Sequence, residues 1–161
     1  MPVVTPTIDL ERVAWRRVTQ PECTDFLIDF EYSLLGYDRD TGRLDMLLRY
    51  APNGHCRRHR HLAATATLVL EGEQFLVESL PDGTVKHVHR KAGDYALSPA
   101  DAQPHDEFGG PEGGTVLLSM SAPDGQLFEY SNDTNTKTWT LSIDQYVDSW
   151  ERGELYGQAA S

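Results

Sequence analysis

Gly54-His-Cys-Arg-Arg-His-Arg-His61 is the stretch on which the fold turns. His59 and His61 are two apart. Side chains alternate across a β-strand, so on a strand both imidazoles project from one face, about 6–7 Å apart along the backbone. Imidazole is the commonest neutral metal ligand, and two on one face can share an ion with a third from elsewhere. Cys56 has the opposite strand parity and reads as a structural thiol. His55 reads as a loop residue.

The segments around this pair are patterned with a period of two. Leu44, Met46 and Leu48 alternate with Asp45, Leu47 and Arg49, and Thr67-Leu-Val-Leu-Glu-Gly72, Gln74-Phe-Leu-Val-Glu78 and Gly114-Thr-Val-Leu-Leu-Ser-Met-Ser121 are rich in β formers. Turn residues separate them at short intervals: Asp38-Arg-Asp-Thr-Gly42, Pro81-Asp-Gly83, Lys91-Ala-Gly93, Gly109-Gly-Pro-Glu-Gly-Gly114 and Ala122-Pro-Asp-Gly125. Many short strands with such turns imply an all-β sandwich or barrel. One segment departs. Ile143, Tyr146, Val147 and Trp150 fall at helical spacing, with Ser142 and Gln145 as a capping box and Gly153 as a stop. A short C-terminal helix is expected over about 143–152, covering one end of the barrel or a neighbouring subunit.

The histidine pair lies within a larger pattern. Gly72 follows His61 by eleven positions, and Gly93-Asp-Tyr-Ala-Leu-Ser-Pro-Ala-Asp-Ala-Gln-Pro-His105 comes later. Together these resemble the two motifs of the cupin family, G-x5-H-x-H-x3–4-E-x6-G and G-x5-P-x-G-x2-H-x3-N, over roughly residues 54–109. His59, His61, Gly72, Gly93, Pro99 and His105 carry the match. Gly54 is one residue too close to His59, Asp101 replaces a glycine, His105 is one residue late, and Gly109 stands where asparagine is common. The glutamate that usually supplies a fourth ligand is missing: Thr65 occupies its position at one spacing and Ala66 at the other.

The resemblance implies a double-stranded jelly-roll barrel, one domain over residues 1–161 with its metal-binding core at about 43–130. It implies one divalent metal held by His59, His61 and His105. Without the glutamate, three neutral imidazoles would leave the ion its full charge and open positions, a site suited to an anionic chelating ligand plus a small molecule such as dioxygen. Cupins of this three-histidine kind include the acetylacetone (β-diketone) dioxygenases and the cysteine dioxygenases. The former are the more similar in the spacing from second histidine to glycine and in a polar turn and helix after the last strands. The latter are longer and carry a cysteine–tyrosine pair with no equivalent here.

Other residues are weighed beside the triad. Glu107, two after His105, shares its parity on a continuous strand, as a fourth ligand or an acceptor that orients a histidine; an exposed rim is the other reading, because Phe108 and Gly109 begin a loop. Gln103 has the same parity. Thr67 faces inward, where its hydroxyl can bond substrate or water. Arg57 shares the parity of His59 and can attract an anionic substrate at the barrel mouth. His87 and His89, in Lys86-His-Val-His-Arg90, read as a solvated outer strand. Tyr95 and Phe75 read as core, and Trp15, Trp139 and Trp150 as packing or interface residues.

Composition narrows the partners. The chain has 161 residues, 39% hydrophobic and 24% charged, which suits one soluble domain. A net charge of −11 repels phosphate backbones and anionic lipids, so nucleic acid is not an expected partner. No apolar run reaches the ~20 residues a membrane helix needs. Met1 to Pro6 show no signal-peptide pattern, and Cys23 and Cys56 make no disulfide framework, so the cytoplasm is the expected compartment. The leading expectation is a mononuclear non-haem Fe(II) dioxygenase that cleaves a carbon–carbon bond in a β-diketone or similar enolisable small molecule. The alternatives are a non-oxidative Zn(II) or Mn(II) enzyme (isomerase, lyase or hydrolase) and a metal- or ligand-sensing module; Zn(II), Ni(II) and Mn(II) are the other metals the site can take. A homodimer is expected, since the tryptophans and the helix need cover.

Overall fold

A computed structural model describes residues 8–20, 27–132 and 137–156. Cys23 and the first six residues lie outside these. The chain runs β1 (Arg16–Thr19), β2 (Asp29–Asp38), β3 (Arg43–Tyr50), β4 (His59–His61), β5 (Ala64–Ser79), β6 (Val85–Lys91), β7 (Tyr95–Ser98), β8 (His105–Ser121), β9 (Gln126–Ser131), β10 (Thr138–Ser142) and α1 (Ile143–Arg152). All pairings between strands are antiparallel, and the sheet curls into a jelly-roll barrel with one short C-terminal helix. No helix among the described residues is long and apolar enough to cross a membrane.

Two long strands, β5 and β8, pair along nearly their whole length and form the spine of the barrel. The sequence suggests two strands separated at Gly72, and a loop at Gly109–Gly114. Instead both strands run on through irregularities in their pairing, between Val69 and Glu71 and between Gly72 and Gln74. The consequence is a switch of parity. Before it, Thr65, Thr67 and Val69 are the buried residues of β5; after it, Gln74 and Leu76 are. On β8, His105 and Glu107 face inward before the glycine-rich bulge, and Val116, Leu118 and Met120 after it.

Two expectations are corrected, the first of them by that switch. Phe75 is half-buried on the outer face, stacked between His89 (4.3 Å between ring centroids) and Phe108 (5.2 Å). Tyr95 is 65% exposed, because it pairs with outward-facing Leu68 rather than with an inward residue. Asp101, which stands at a motif glycine, takes the left-handed conformation at φ 58, one that Asp adopts more readily than most side chains. The amides of Asp101 and Ala102 donate to the carbonyls of Leu62 and His61, tying this loop to the end of β4.

The core is filled from β2, β3, β8, β9 and α1, including Phe30, Tyr32, Leu44, Met46, Val116 and Leu127. The helix follows its capping signals: the Ser142 hydroxyl accepts from the Gln145 amide, the Gln145 side chain accepts from the Ser142 amide, and Gly153 closes the helix at φ 75. Its apolar stripe, Ile143, Tyr146 and Val147, is buried against the chain's own barrel, at about 1.5–3 kcal/mol per large apolar side chain. The helix therefore needs no neighbouring subunit for cover. The tryptophans pack likewise within the chain: Arg49 lies over Trp15, Arg16 over Trp150, and Trp139 stacks on Tyr130.

Candidate metal centre

The three-residue strand β4 is held between β8 and β9, with His59 opposite both His105 and Tyr130, and His61 opposite Phe128. This pairing brings a histidine from β8 onto the face from which His59 and His61 project. Ring centroids are 4.5 Å apart for His59 and His105, 5.2 Å for His59 and His61, and 5.3 Å for His61 and His105. Glu107 joins them. His59, His61, His105 and Glu107 are all buried, and one ligand atom from each lies within 4.8 Å of the others.

The Nδ1 side of every ring faces away from the centre. His59 Nδ1 contacts the Arg57 carbonyl at 2.6 Å, and His105 Nδ1 the Gln103 carbonyl at 3.3 Å. His61 Nδ1 contacts Thr65 Oγ1 at 2.9 Å, while the Thr65 hydroxyl donates to the Ala63 carbonyl and so is left to accept from the imidazole. Carbonyl and hydroxyl acceptors fix the proton on Nδ1 and leave the Nε2 lone pair for the interior. The Nε2 atoms of His59 and His61 are 3.2 Å apart. Two nitrogens at about 2.1 Å from one ion and at right angles would be about 3.0 Å apart. His105 Nε2 is buried with no hydrogen-bond partner among the described residues. Converging lone pairs with an orphaned buried nitrogen fit a divalent cation.

Electrostatics agree. Burial, then the neighbouring His105, lowers His59 to about 4 against the opposing pull of Glu107. Burial and the other two histidines hold His61 well below its ordinary value. Both are therefore neutral near pH 7. Burial alone would raise Glu107, but the contact with His105 and the nearness of His59 and His61 outweigh it, so its carboxyl stays below the usual range and is ionised.

Glu107 Oε2 lies 3.4 Å from both His59 Nε2 and His105 Nε2. Its other oxygen is occupied: Tyr50 donates its hydroxyl to Oε1, and Gln74 Nε2 donates to the same atom at 2.9 Å. Arg90 Nη1 in turn donates to Gln74 Oε1 at 2.9 Å, which sets the amide with its NH₂ toward Glu107. One carboxylate oxygen is thus left for the centre.

This puts a carboxylate in the cavity that three imidazoles alone were expected to line, at the residue weighed as a fourth ligand. The missing glutamate is replaced from the other motif, and the donor set is three imidazoles and one carboxylate. Thr65, at the usual glutamate position, supports His61, and Ala66 faces outward opposite Ser119. Glu107 is no rim residue, since β8 continues through Phe108 and Gly109.

Two small cavities flank the cluster, and a larger one of about 230 Å³ reaches His59 from between Arg58, Arg60, Pro104, Glu129 and Tyr130. A polar one of about 30 Å³ is lined by His61, Thr65, Thr67, Gln74, Arg90 and His105 among others, and has partly exposed Glu78, Ser98 and Ala102 at its rim. An apolar one of about 20 Å³ lies between His59, Cys56, Arg57, Tyr130, Tyr146 and Tyr156 and neighbouring core residues. Thr67 thus reaches the polar cavity. Arg57 reaches the apolar one rather than an open mouth, and its Nε donates to Gln20 Oε1 at 3.1 Å. Cys56 is buried beside His59, since residues 51–58 form no strand and parity does not apply to them. Burial and Glu107 raise its thiol well above the ordinary value, which keeps it protonated. The Gln103 side chain is exposed, and only its carbonyl meets the site. His87 and His89 lie on the outer face of β6, where His89 contacts Glu73 at 3.1 Å. Tyr50, Gln74 and Arg90 were not legible as site residues. The alternation of β3 gave the face of Tyr50, but the other two depend on the parity switch.

Comparison with known proteins agrees with this architecture. Residues 6–123 match the family described as the ChrR cupin-like domain. No curated protein sequence matches the chain. Among solved structures, an acetylacetone dioxygenase from Acinetobacter johnsonii superposes with a TM-score of 0.64 at 14% identity, covering 94% of this chain and 93% of that one. A protein from Methylibium petroleiphilum taken to be an acetylacetone dioxygenase gives 0.64 at 13% identity, over 93% and 96%. A cupin 2 conserved barrel domain protein from Rhodopseudomonas palustris gives 0.53 at 17% identity, over 87% and 85%. Likeness at such identities establishes the shared fold.

Proposed function

Since the chain belongs to the ChrR cupin-like domain family, we propose that it is a metal-dependent cupin enzyme, a mononuclear non-haem Fe(II) dioxygenase that cleaves a carbon–carbon bond in a β-diketone or a similar enolisable small molecule. The observation that carries the reading is the convergence of His59, His61, His105 and Glu107 on one buried point beside a cavity that opens to the surface. The acetylacetone dioxygenase of Acinetobacter johnsonii, similar in fold over nearly its whole length, supports the choice of substrate class.

In this reading the four side chains hold the metal, which supplies a Lewis acid for the two oxygens of an enolate and a redox centre for dioxygen. The chain's own residues bind and orient. Thr65 and the carbonyls of Arg57 and Gln103 hold the imidazole rings with Nε2 toward the centre. Tyr50 and Gln74 hold one oxygen of Glu107 away from the centre. Thr67 offers a hydroxyl to the substrate or to water in the polar cavity. Phe128 and Tyr130, edge-on or tilted against the imidazoles, exclude water from the far side. Dioxygen is the second substrate; one of its atoms ends in a carboxylate and the other in the new carbonyl of the second product. The protein acts as a homodimer.

Glu107 favours a second reading. A carboxylate ligand cancels part of the metal's charge and lessens the need for a chelating anion, as suits a non-oxidative Zn(II) or Mn(II) enzyme. Reconstituting anaerobic apoprotein with Fe(II) and screening β-diketones in an oxygen electrode separates the two. Stoichiometric oxygen consumption with bond cleavage is expected. Tight metal binding without oxygen uptake on that panel would overturn the dioxygenase reading, leaving the non-oxidative enzyme or a metal-sensing module.

A further inference from the structure

We infer that the polar cavity binds a substrate bearing a carboxylate, and that Arg90 is the residue that recognises it. The inference deepens the reading above and rests on it for the position of the metal. The register of β5 with β6 pairs Gln74 with Arg90, Leu76 with Val88 and Glu78 with Lys86. Gln74 and Leu76 are buried inward residues, so Arg90 shares the inward face, while His87 and His89 take the outward one. Arg90 thereby lines the same cavity as His61, His105 and Glu107.

Its bonding is incomplete. Arg90 makes a single hydrogen bond, to the neutral amide of Gln74, and no ion pair among the described residues. Most arginines of the chain do better: Arg17, Arg39, Arg43, Arg49, Arg58 and Arg60 each meet a carboxylate. In a chain of net charge −11 acidic partners are plentiful, yet this half-buried guanidinium has none. Glu78, at the same rim, is 3.7 Å from Lys86 instead. A guanidinium has more donors than one bond uses, and its fork matches a carboxylate.

Charge balance points the same way. Glu107 leaves a divalent ion with one uncompensated positive charge, which an enolate neutralises. Arg90 supplies a second, so the cavity suits a dianion: an enolate toward the histidines and a carboxylate toward β6. The apolar cavity has no equivalent rim, because apart from Arg57 its lining residues are buried. The polar cavity is small, about 30 Å³, and favours a short ligand. A short 2,4-dioxo acid has this chemistry.

The test uses a matched pair. Acetylpyruvate and acetylacetone differ by a carboxylate in place of a methyl group. Each is titrated calorimetrically, without oxygen, into Zn(II)-loaded wild-type protein, Arg90→Gln and Arg90→Lys. Acetylpyruvate is expected to bind the wild type about ten-fold or more tightly than acetylacetone. Arg90→Gln should abolish that preference and Arg90→Lys should retain part of it. Equal affinities in the wild type would overturn the inference. So would an unchanged ratio in Arg90→Gln, even with both ligands weakened, since Arg90 would then act only through Gln74. Oxygen uptake plays no part, so the preference can hold where the dioxygenase reading fails. Protein that takes up no metal is titrated metal-free under the same criterion.

Discussion

Glu107 Oε2 stands 3.4 Å from Nε2 of His105, the residue two positions earlier on the same strand. A single stretch of β8 thus delivers a nitrogen donor and a carboxylate donor to one point. Glu107→Gln keeps the side-chain size and the acceptor for Tyr50 and Gln74 but removes the charge. Metal affinity, measured by competition with a chromophoric chelator, should fall about ten- to a hundred-fold while circular dichroism stays β-rich. Unchanged affinity would show that Glu107 does not ligate. Glu107→Ala goes further, because it strips a buried acceptor from two donors, and should cost about 1–3 kcal/mol in urea denaturation.

The His61–Thr65 contact gives a second expectation. Thr65→Val preserves shape and removes the oxygen that accepts from His61 Nδ1. The ring then loses what fixes its tautomer, and metal affinity should drop about ten-fold or more. Replacing outward-facing Ala66 with Val should leave it unaltered. His59→Ala, His61→Ala and His105→Ala should each remove most of the bound metal, read by elemental analysis. Full retention in all three would reject the site.

Much of this centre was legible because its histidines lie where simple alternation holds. His59 and His61 need only strand parity, and the helix needs only Ser142, Gln145 and Gly153. Glu107 was legible as a candidate fourth ligand but stood beside an exposed-rim reading, because Gly109–Gly114 has the composition of a loop while in the molecule it forms a bulge within a continuous strand. Arg90 and Gln74 were hidden for a related reason. Which face of β5 and β6 points inward there depends on an irregularity in pairing, and local residue pattern does not encode long-range register. For Cys56, a buried thiol, parity gave no guide to position, since residues 51–58 are not a strand.

The proposed homodimer has a surface to use. Helix α1 and the tryptophans pack on the chain itself, whereas Tyr95 and Leu97 on β7 are 65% and 70% exposed; Tyr95 lies in register with outward-facing Leu68 and, through it, Leu117, and Leu97 with Ala66. A contiguous apolar row on a sheet face favours association with a second copy of the same face. Light scattering at micromolar concentration should give about twice the 18.1 kDa chain mass, and Leu97→Glu should reduce it to one chain. A monomeric wild type would refute the dimer, and a dimeric Leu97→Glu would move it to another face.

Gly72 and Gly93, both glycines of the family motifs, make a closing contrast. Each has positive φ, 63° and 91°. A Cβ on Gly93 meets nothing within 4 Å, so Gly93→Ala should cost only the left-handed conformation, about 1 kcal/mol, or about 2–4 °C in Tm for a chain of this size. A Cβ on Gly72 would come within 2.5 Å of the Gly113 carbonyl oxygen and 2.8 Å of Gly114 Cα, both backbone atoms of the opposing bulge. Gly72→Ala should therefore cost more than about 2 kcal/mol. The two variants should differ in function as well. Gly72 sits at the switch that turns Gln74 inward to Glu107, and opening that switch should loosen the Gln74 hydrogen bond and weaken metal binding. Gly93 lies in the β6–β7 turn, and its replacement should leave metal affinity within about two-fold. Equal losses of metal affinity in both would show that the parity switch does not position the carboxylate.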